Sequence, residues 1–111
     1  MKIRNIELDF SITNTNNIKK IENAYKKIQE DSENFKSDDF FEQMEHECKV
    51  GKAFFDEVFG EGTSQKLFGD ENDFEVIMDS MIEVVEEIDK KKKALNSKME
   101  KYSSKRVKRW I

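Results

Sequence analysis

The sequence predicts a mainly α protein: a small helical domain with a short N-terminal β-strand and a long C-terminal amphipathic helix. Three observations carry that prediction. Apolar residues recur at spacings of three and four along separate stretches, as they do on one face of a helix. Proline is absent and 40% of residues are charged, a composition that suits solvated helices better than a sheet with many tight turns. Leu, Ile, Val and Phe make up 28 of 111 residues, enough for a folded chain. A single domain of this size buries only about two-thirds of its unfolded surface, so its core is expected to be thin.

At the N-terminus, Ile6, Leu8, Phe10 and Ile12 alternate with Glu7, Asp9 and Ser11, the period-two pattern of a half-buried strand. A lone strand leaves N–H and C=O groups unpaired, so it must pair with an unrecognised strand or with the same strand of another subunit. Thr13 to Asn17 is rich in N-cap residues and precedes Ile18, Ile21, Tyr25 and Ile28, an amphipathic helix ending between Glu30 and Glu33. A second helix starts near Ser37 or Asp38 and carries Phe40, Phe41, Met44, Cys48, Phe55, Val58 and Phe59 as its apolar stripe. Gly51 inside that helix costs about 1 kcal/mol relative to Ala, which predicts that a neighbouring element packs closely against it. Phe59-Gly60 and Phe68-Gly69 each read as a helix end followed by a left-handed Gly, with Thr63 or Ser64 capping a short turn between them. Asn72 followed by Glu75 has the spacing of a capping box and opens the last helix.

That helix carries Phe74, Met78, Met81, Val85, Ile88, Lys92, Leu95, Met99 and Tyr102 at alternating steps of four and three, with Lys92 the one break in an apolar seam. Ile77, Ile82 and Val84 widen the face before residue 89, whereas later the seam is narrow and flanked by Lys. Residues 1–89 hold 10 basic and 23 acidic side chains, net −13, and residues 90–111 hold 10 basic and 1 acidic, net +9, which together give −4. The chain therefore divides into an acidic helical domain with the N-terminal strand, 1–89, and a basic C-terminal helical arm, 90–111. The first half of the last helix is predicted core; the second half is predicted to project and pair with another chain, making a homo-oligomer one expected outcome.

Several function classes are excluded. No apolar run exceeds three residues, so neither a membrane span nor a signal segment is expected, and the single Cys48 fits a reducing compartment; the cytoplasm is the expected location. His46 lies near Glu42, Glu45 and Cys48, but Cys48 is two residues from His46 and faces elsewhere on a helix, and a fourth ligand is missing. A buried Cys and a solvated His are expected instead of zinc. Asp70 to Asp73 resembles the start of a calcium loop, yet Phe74 and Glu75 stand where a ligand and the required Gly belong. With no phosphate-cradling loop, nucleophile elbow or triad, the chain is read as a non-enzyme without cofactor or metal. The basic stretch from Lys90 to Arg109 exceeds what a helix dipole favours, but nucleic-acid binding would interleave stacking aromatics, and only Tyr102 and Trp110 lie there beside an acidic domain. A protein partner is preferred.

Phe54, Phe55, Phe59, Leu67 and Phe68 fall within fifteen residues and are expected to form a knob around two glycines, mostly core, with one or two rings left for docking. With Leu95, Met99 and Tyr102 of the arm they make up the candidate partner-binding residues. At the string FFDEVFGEGTSQKLFGDENDF the sequence resembles the tail assembly chaperones of long-tailed phages and prophages of Gram-positive bacteria, which carry a Phe-Asp-x-x-Phe-Gly-x-Gly-Thr element followed by Phe-Gly and an amphipathic helix. Phe55, Asp56, Phe59, Gly60, Gly62, Thr63, Phe68 and Gly69 stand at those positions, and the match spans residues 50 to 90. The resemblance implies a non-structural protein of the host bacterial cytoplasm that binds the tape-measure protein, keeps its long helix soluble and helps recruit tail-tube proteins. It also implies a shorter and a frameshift-extended product sharing their N-terminal part. The basic arm has no counterpart in that pattern. The residues alone equally describe a small coiled-coil adaptor or oligomerisation protein, and the arm alone a nucleic-acid-binding regulator.

Overall fold

The N-terminal strand finds its partner in the chain's own first residues. The computed structural model describes residues 1–110, with side chains described for residues 1–104. β1 (Lys2–Ile3) and β2 (Ile6–Glu7) pair antiparallel, with Ile3 opposite Ile6. The ladder continues where the Leu8 N–H donates to the Met1 carbonyl at 2.7 Å and the terminal amine donates to the Leu8 carbonyl at 3.1 Å. Between the strands, Arg4 and Asn5 have φ of +50° and +64°, the two left-handed residues that a type I′ hairpin needs. Asn tolerates this conformation and Arg does not. Arg4 is held there because its guanidinium donates to the Leu67 carbonyl at 2.7 Å and lies 5.6 Å over the Phe68 ring. The strand thus needs no second subunit. Regular pairing stops at Glu7, but Leu8 and Ile12 are buried while Asp9 and Ser11 are exposed, so the alternation marks an extended segment rather than a longer strand.

α1 (Thr15–Asn34) starts at the N-cap Asn14, whose side chain accepts the Asn16 N–H at 2.9 Å, and it buries Ile21 and Ala24. α2 (Phe40–Phe59) starts after Asp39, whose carboxylate accepts the Glu42 N–H at 3.0 Å, and it buries Cys48, Gly51, Phe54, Phe55 and Val58. Its stripe is shorter than expected: Phe40 and Phe41 are 66% and 77% exposed. The reason lies in the neighbours' ends. α1 reaches α2 at the level of His46, through Asp31, and the start of α4 lies at the level of Cys48, through Asn72, so the first turn of α2 projects past both. The close packing expected at Gly51 is present: a Cβ there would lie 2.5 Å from Ile77 Cγ2 and 3.2 Å from Met78 Cε and Met81 Sδ.

The corner after α2 departs from its expected form. Gly60 has φ +114° and Gly69 φ +62°, positive as expected, but with extended ψ of 152° and −144°; the left-handed helical residue is Gly62, which caps α3 (Thr63–Phe68) without a side chain. Neither Thr63 nor Ser64 caps the turn. Asp56 does so from the preceding helix, accepting the Ser64 N–H at 2.8 Å and the Ser64 hydroxyl at 2.9 Å. Thr63 Oγ1 instead donates to the Gly60 carbonyl at 2.7 Å.

α4 (Phe74–Trp110) is opened by Asp73 rather than Asn72, since Asp73 accepts the Val76 N–H at 3.2 Å. Its buried line is Ile77, Ser80, Val84 and Ile88, while Val85 is 39% and Ile82 54% exposed. The expected seam is therefore rotated: Ile77 and Val84, expected to widen it, are its centre. A strict seven-residue seam suits a supercoiled partner, whereas this half of α4 packs as a straight 3.6-residue helix on α2 and β1. With 37 residues α4 runs about 55 Å, and the molecule measures 64 × 31 × 20 Å. Its radius of gyration is 17.5 Å, against about 13 Å for a compact chain of this length.

Candidate docking surface

The Phe-rich knob is core. Phe54, Phe55, Leu67 and Phe68 are buried and Phe59 is half-buried, so four of the five have little surface to offer a partner. The rings satisfy one another: Phe55 meets Phe54 and Phe68 edge-to-face at 5.5 and 5.3 Å and stacks on Phe59 at 5.9 Å, while Phe59 meets Phe10 at 5.0 Å. The Phe-Asp-x-x-Phe-Gly-x-Gly-Thr element is thus a corner in which each residue has a folding task. Asp56 ties α3 to α2, Gly60 and Gly62 take positive φ, and the phenylalanines fill the space behind them.

His46 is not simply solvated. Its ring stacks on Phe35 at 3.6 Å, and Nε2 lies 2.9 and 2.8 Å from the two carboxylate oxygens of Asp31, which clamps the α1–α2 junction. Cys48 is buried as expected, its thiol 3.6 Å from the Asn72 carbonyl. Burial pushes its pKa up from 9.0, Asp73, Glu45 and Glu47 add to the shift, and Lys52 opposes it. Tyr25 is raised from 10.0, first by burial and then by Asp89 across on α4. Among the described residues no group of His, Cys, Asp and Glu is arranged to hold a metal, and no helix is long and apolar enough to cross a membrane.

What remains available lies on α4. Beyond Ile88 no described residue is buried, and only Leu95 is half-buried, where it packs against the core. Met99 and Tyr102 are 63% and 61% exposed. At 100° per residue, Leu95, Met99 and Tyr102 lie within about 40° of the line through Ile77, Val84 and Ile88, so the core-facing stripe continues past the end of the core. Lys90 to Lys93, Lys98 and Lys101 surround this continuation and are all exposed. The side chains of Trp110 and of the basic residues among 105–109 lie outside the described side chains. The body half of α4 is not all core as expected: Val85 and Ile82, read as parts of its core face, are exposed and with half-buried Met78 form an apolar strip on the flank of the helix. Ile82 stands one position off the heptad line, and that offset was its only signal. A shallower apolar groove between α1 and α2, floored by Ala24, Ile28, Val50 and Phe54, is bridged at its rim by the Lys27–Glu57 ion pair at 3.0 Å.

A family model described as "Family of unknown function (DUF6673)" matches residues 4–110, nearly the whole chain. Comparison with curated proteins and with solved structures gives no match.

Proposed function

The chain belongs to the DUF6673 family, and from that premise we propose that it is a non-enzymatic helix-binding protein, a phage tail assembly chaperone that engages the tape-measure protein and aids tail-tube assembly. The observation that carries this reading is the apolar line Leu95–Met99–Tyr102 continuing beyond the core on a basic, solvated helix. A chaperone for a long amphipathic helix needs such a line to share and a charged exterior to keep the complex in solution. The resemblance over residues 50 to 90 supplies the identity of the partner, with the corner residues serving the fold and the arm serving the binding. On this reading the protein works in the cytoplasm of the host bacterium.

Co-expression with the tape-measure protein that it is proposed to serve tests the proposal. A soluble complex is expected, weakened at least about tenfold by replacing Met99 and Tyr102 with Asp, since each buried apolar anchor contributes on the order of 1–2 kcal/mol. Separate elution of the two proteins would sink it. The basic arm also supports a nucleic-acid reading, which requires a complex whose affinity falls steeply with salt.

A further inference from the structure

We infer that α4 pairs antiparallel with α4 of a second copy, the basic half of each lying along the acidic half of the other. Residues 75–89 of this helix carry six acidic side chains and no basic one, and residues 90–102 carry six lysines and a single acid, Glu100. Among the described residues none of these charges is engaged in an ion pair. The helix is unbroken from Phe74 to Trp110, so its two halves point away from each other and cannot fold together. A complementary surface must come from another chain, and a second copy supplies it.

The register follows from the exposed apolar positions. When facing residue numbers sum to 180 or 181, Met78 lies opposite Tyr102, Ile82 opposite Met99 and Val85 opposite Leu95. Lys92, which interrupts the apolar line, falls opposite Asp89, and the flanking pairs Asp79–Lys101 and Glu83–Lys98 are also of opposite sign. The combined seam steps 4, 3, 4, 3, 3, 4, 3 from residue 78 to 102, a heptad pattern with one extra step of three; on a straight helix it turns about 120° from the flank at Met78 to the core-facing line at Tyr102, so the pair follows it by winding left-handed about each other, most tightly at the extra step. A parallel pair would instead set acid against acid, lysine against lysine and Lys92 against itself. The antiparallel overlap is about 37 Å long and its two-fold symmetry closes it as a dimer. It covers Ile82 and Val85 together with Met99 and Tyr102, the exposed large apolar side chains of α4 among the described residues.

The pair uses the arm on which the proposed function rests, but not the identity of the tape-measure partner, and the two are separable. The full-length chain is expected to sediment as a dimer. Ile82→Cys and Met99→Cys placed in one chain lie about 26 Å apart along the helix, too far to join within it, so air oxidation is expected to give a covalent dimer only when both are present. Cys48 is buried and does not compete. Cross-linking by either single variant would reveal a parallel pair and overturn the inference, as would a monomer that never cross-links. Lys98→Glu with Lys101→Glu is expected to raise the dimer dissociation constant about tenfold, and adding Asp79→Lys with Glu83→Lys to the same chain to restore it. Dimerisation indifferent to these reversals would count against the register. Because the pair covers Met99 and Tyr102, the tape-measure helix has to displace the second copy: a monomer that still captures the tape-measure protein defeats the pair and leaves the function standing, whereas a chain that cross-links when oxidised but captures no tape-measure protein under reducing conditions, where the pair can open, does the reverse.

Discussion

The two halves of α4 share one apolar periodicity and differ in what lies opposite it. In the first half Ile77, Val84 and Ile88 face α2 and the hairpin and are buried; in the second, Leu95 still touches the edge of the core, and Met99 and Tyr102 continue nearly the same line with no described element beyond them. The stripe by itself therefore says only that a helix wants a neighbour. Charge separates the halves: the buried half is flanked by acids, like the rest of the body, and the projecting half by lysines. A domain that needed the second half for its own core would not surround it with charge of the opposite sign and then hold it at arm's length.

The sharpest way to test the first half is at Gly51. On an exposed helix, Gly→Ala stabilises by about 1 kcal/mol. Here the added Cβ would sit 2.5 Å from Cγ2 of Ile77, a stiff β-branched side chain with no exposed surface, so Gly51→Ala is expected to reverse that sign and destabilise by about 1–3 kcal/mol. Phe55→Ala, at the centre of the ring cluster, is expected to cost about 3–5 kcal/mol. Urea melts of the two variants provide the measurement. A Gly51→Ala variant more stable than the parent would mean that α2 and α4 are not in contact at this point.

Gly51 also shows how much could be read from the sequence. Its position inside an apolar stripe left a close approach or a bend as the ways to offset its cost, and the close approach is the one present. The four helices were legible because their apolar periods and the polar residues that precede them are local. What was not legible depended on distant parts of the chain. The hairpin turn is Arg4-Asn5, not the Asn-Gly that signals a type I′ turn, and the compensating partners Leu67 and Phe68 lie sixty residues away. The α3 cap was assigned to the local Thr63 or Ser64, when Asp56 supplies it from another helix. Phe40 and Phe41 read as core because their spacing is right, but their exposure is decided by where α1 ends and α4 begins. The candidate site divided in the same way: the knob was read as mostly core with one or two rings left for docking, and packing buries four of its five side chains, whereas in the arm Met99 and Tyr102 have the exposure that their charged surroundings implied and Leu95 is half-buried against the core.

A smaller effect is expected at the corner. Asp56→Ala leaves the Ser64 N–H and hydroxyl without their acceptor in a half-buried setting, a loss of about 1–2 kcal/mol. Asp56→Asn keeps one acceptor oxygen and is expected to recover part of that loss. If both variants melt with the parent, the geometry of the corner must rest on its glycines and rings alone.

The smallest effect on stability is expected where the largest effect on association is. Truncation after Lys90 removes the projecting half of α4, of which only Leu95 touches the core among described side chains, so the shortened chain is expected to keep its fold and lose less than about 1 kcal/mol. The same truncation removes the six lysines of residues 90–102 except Lys90 itself, and with them both the complement to the acidic half of a second copy and the apolar line offered to another helix. Unfolding and association should therefore come apart in one variant: circular dichroism showing a retained cooperative melt, and sedimentation showing a monomer. A truncated chain that unfolds would mean that the arm belongs to the core after all, through Leu95 or through contacts made only in the dimer. The concentration dependence of the parent's melting temperature would tell those two apart, since only a dimer contribution grows with protein concentration.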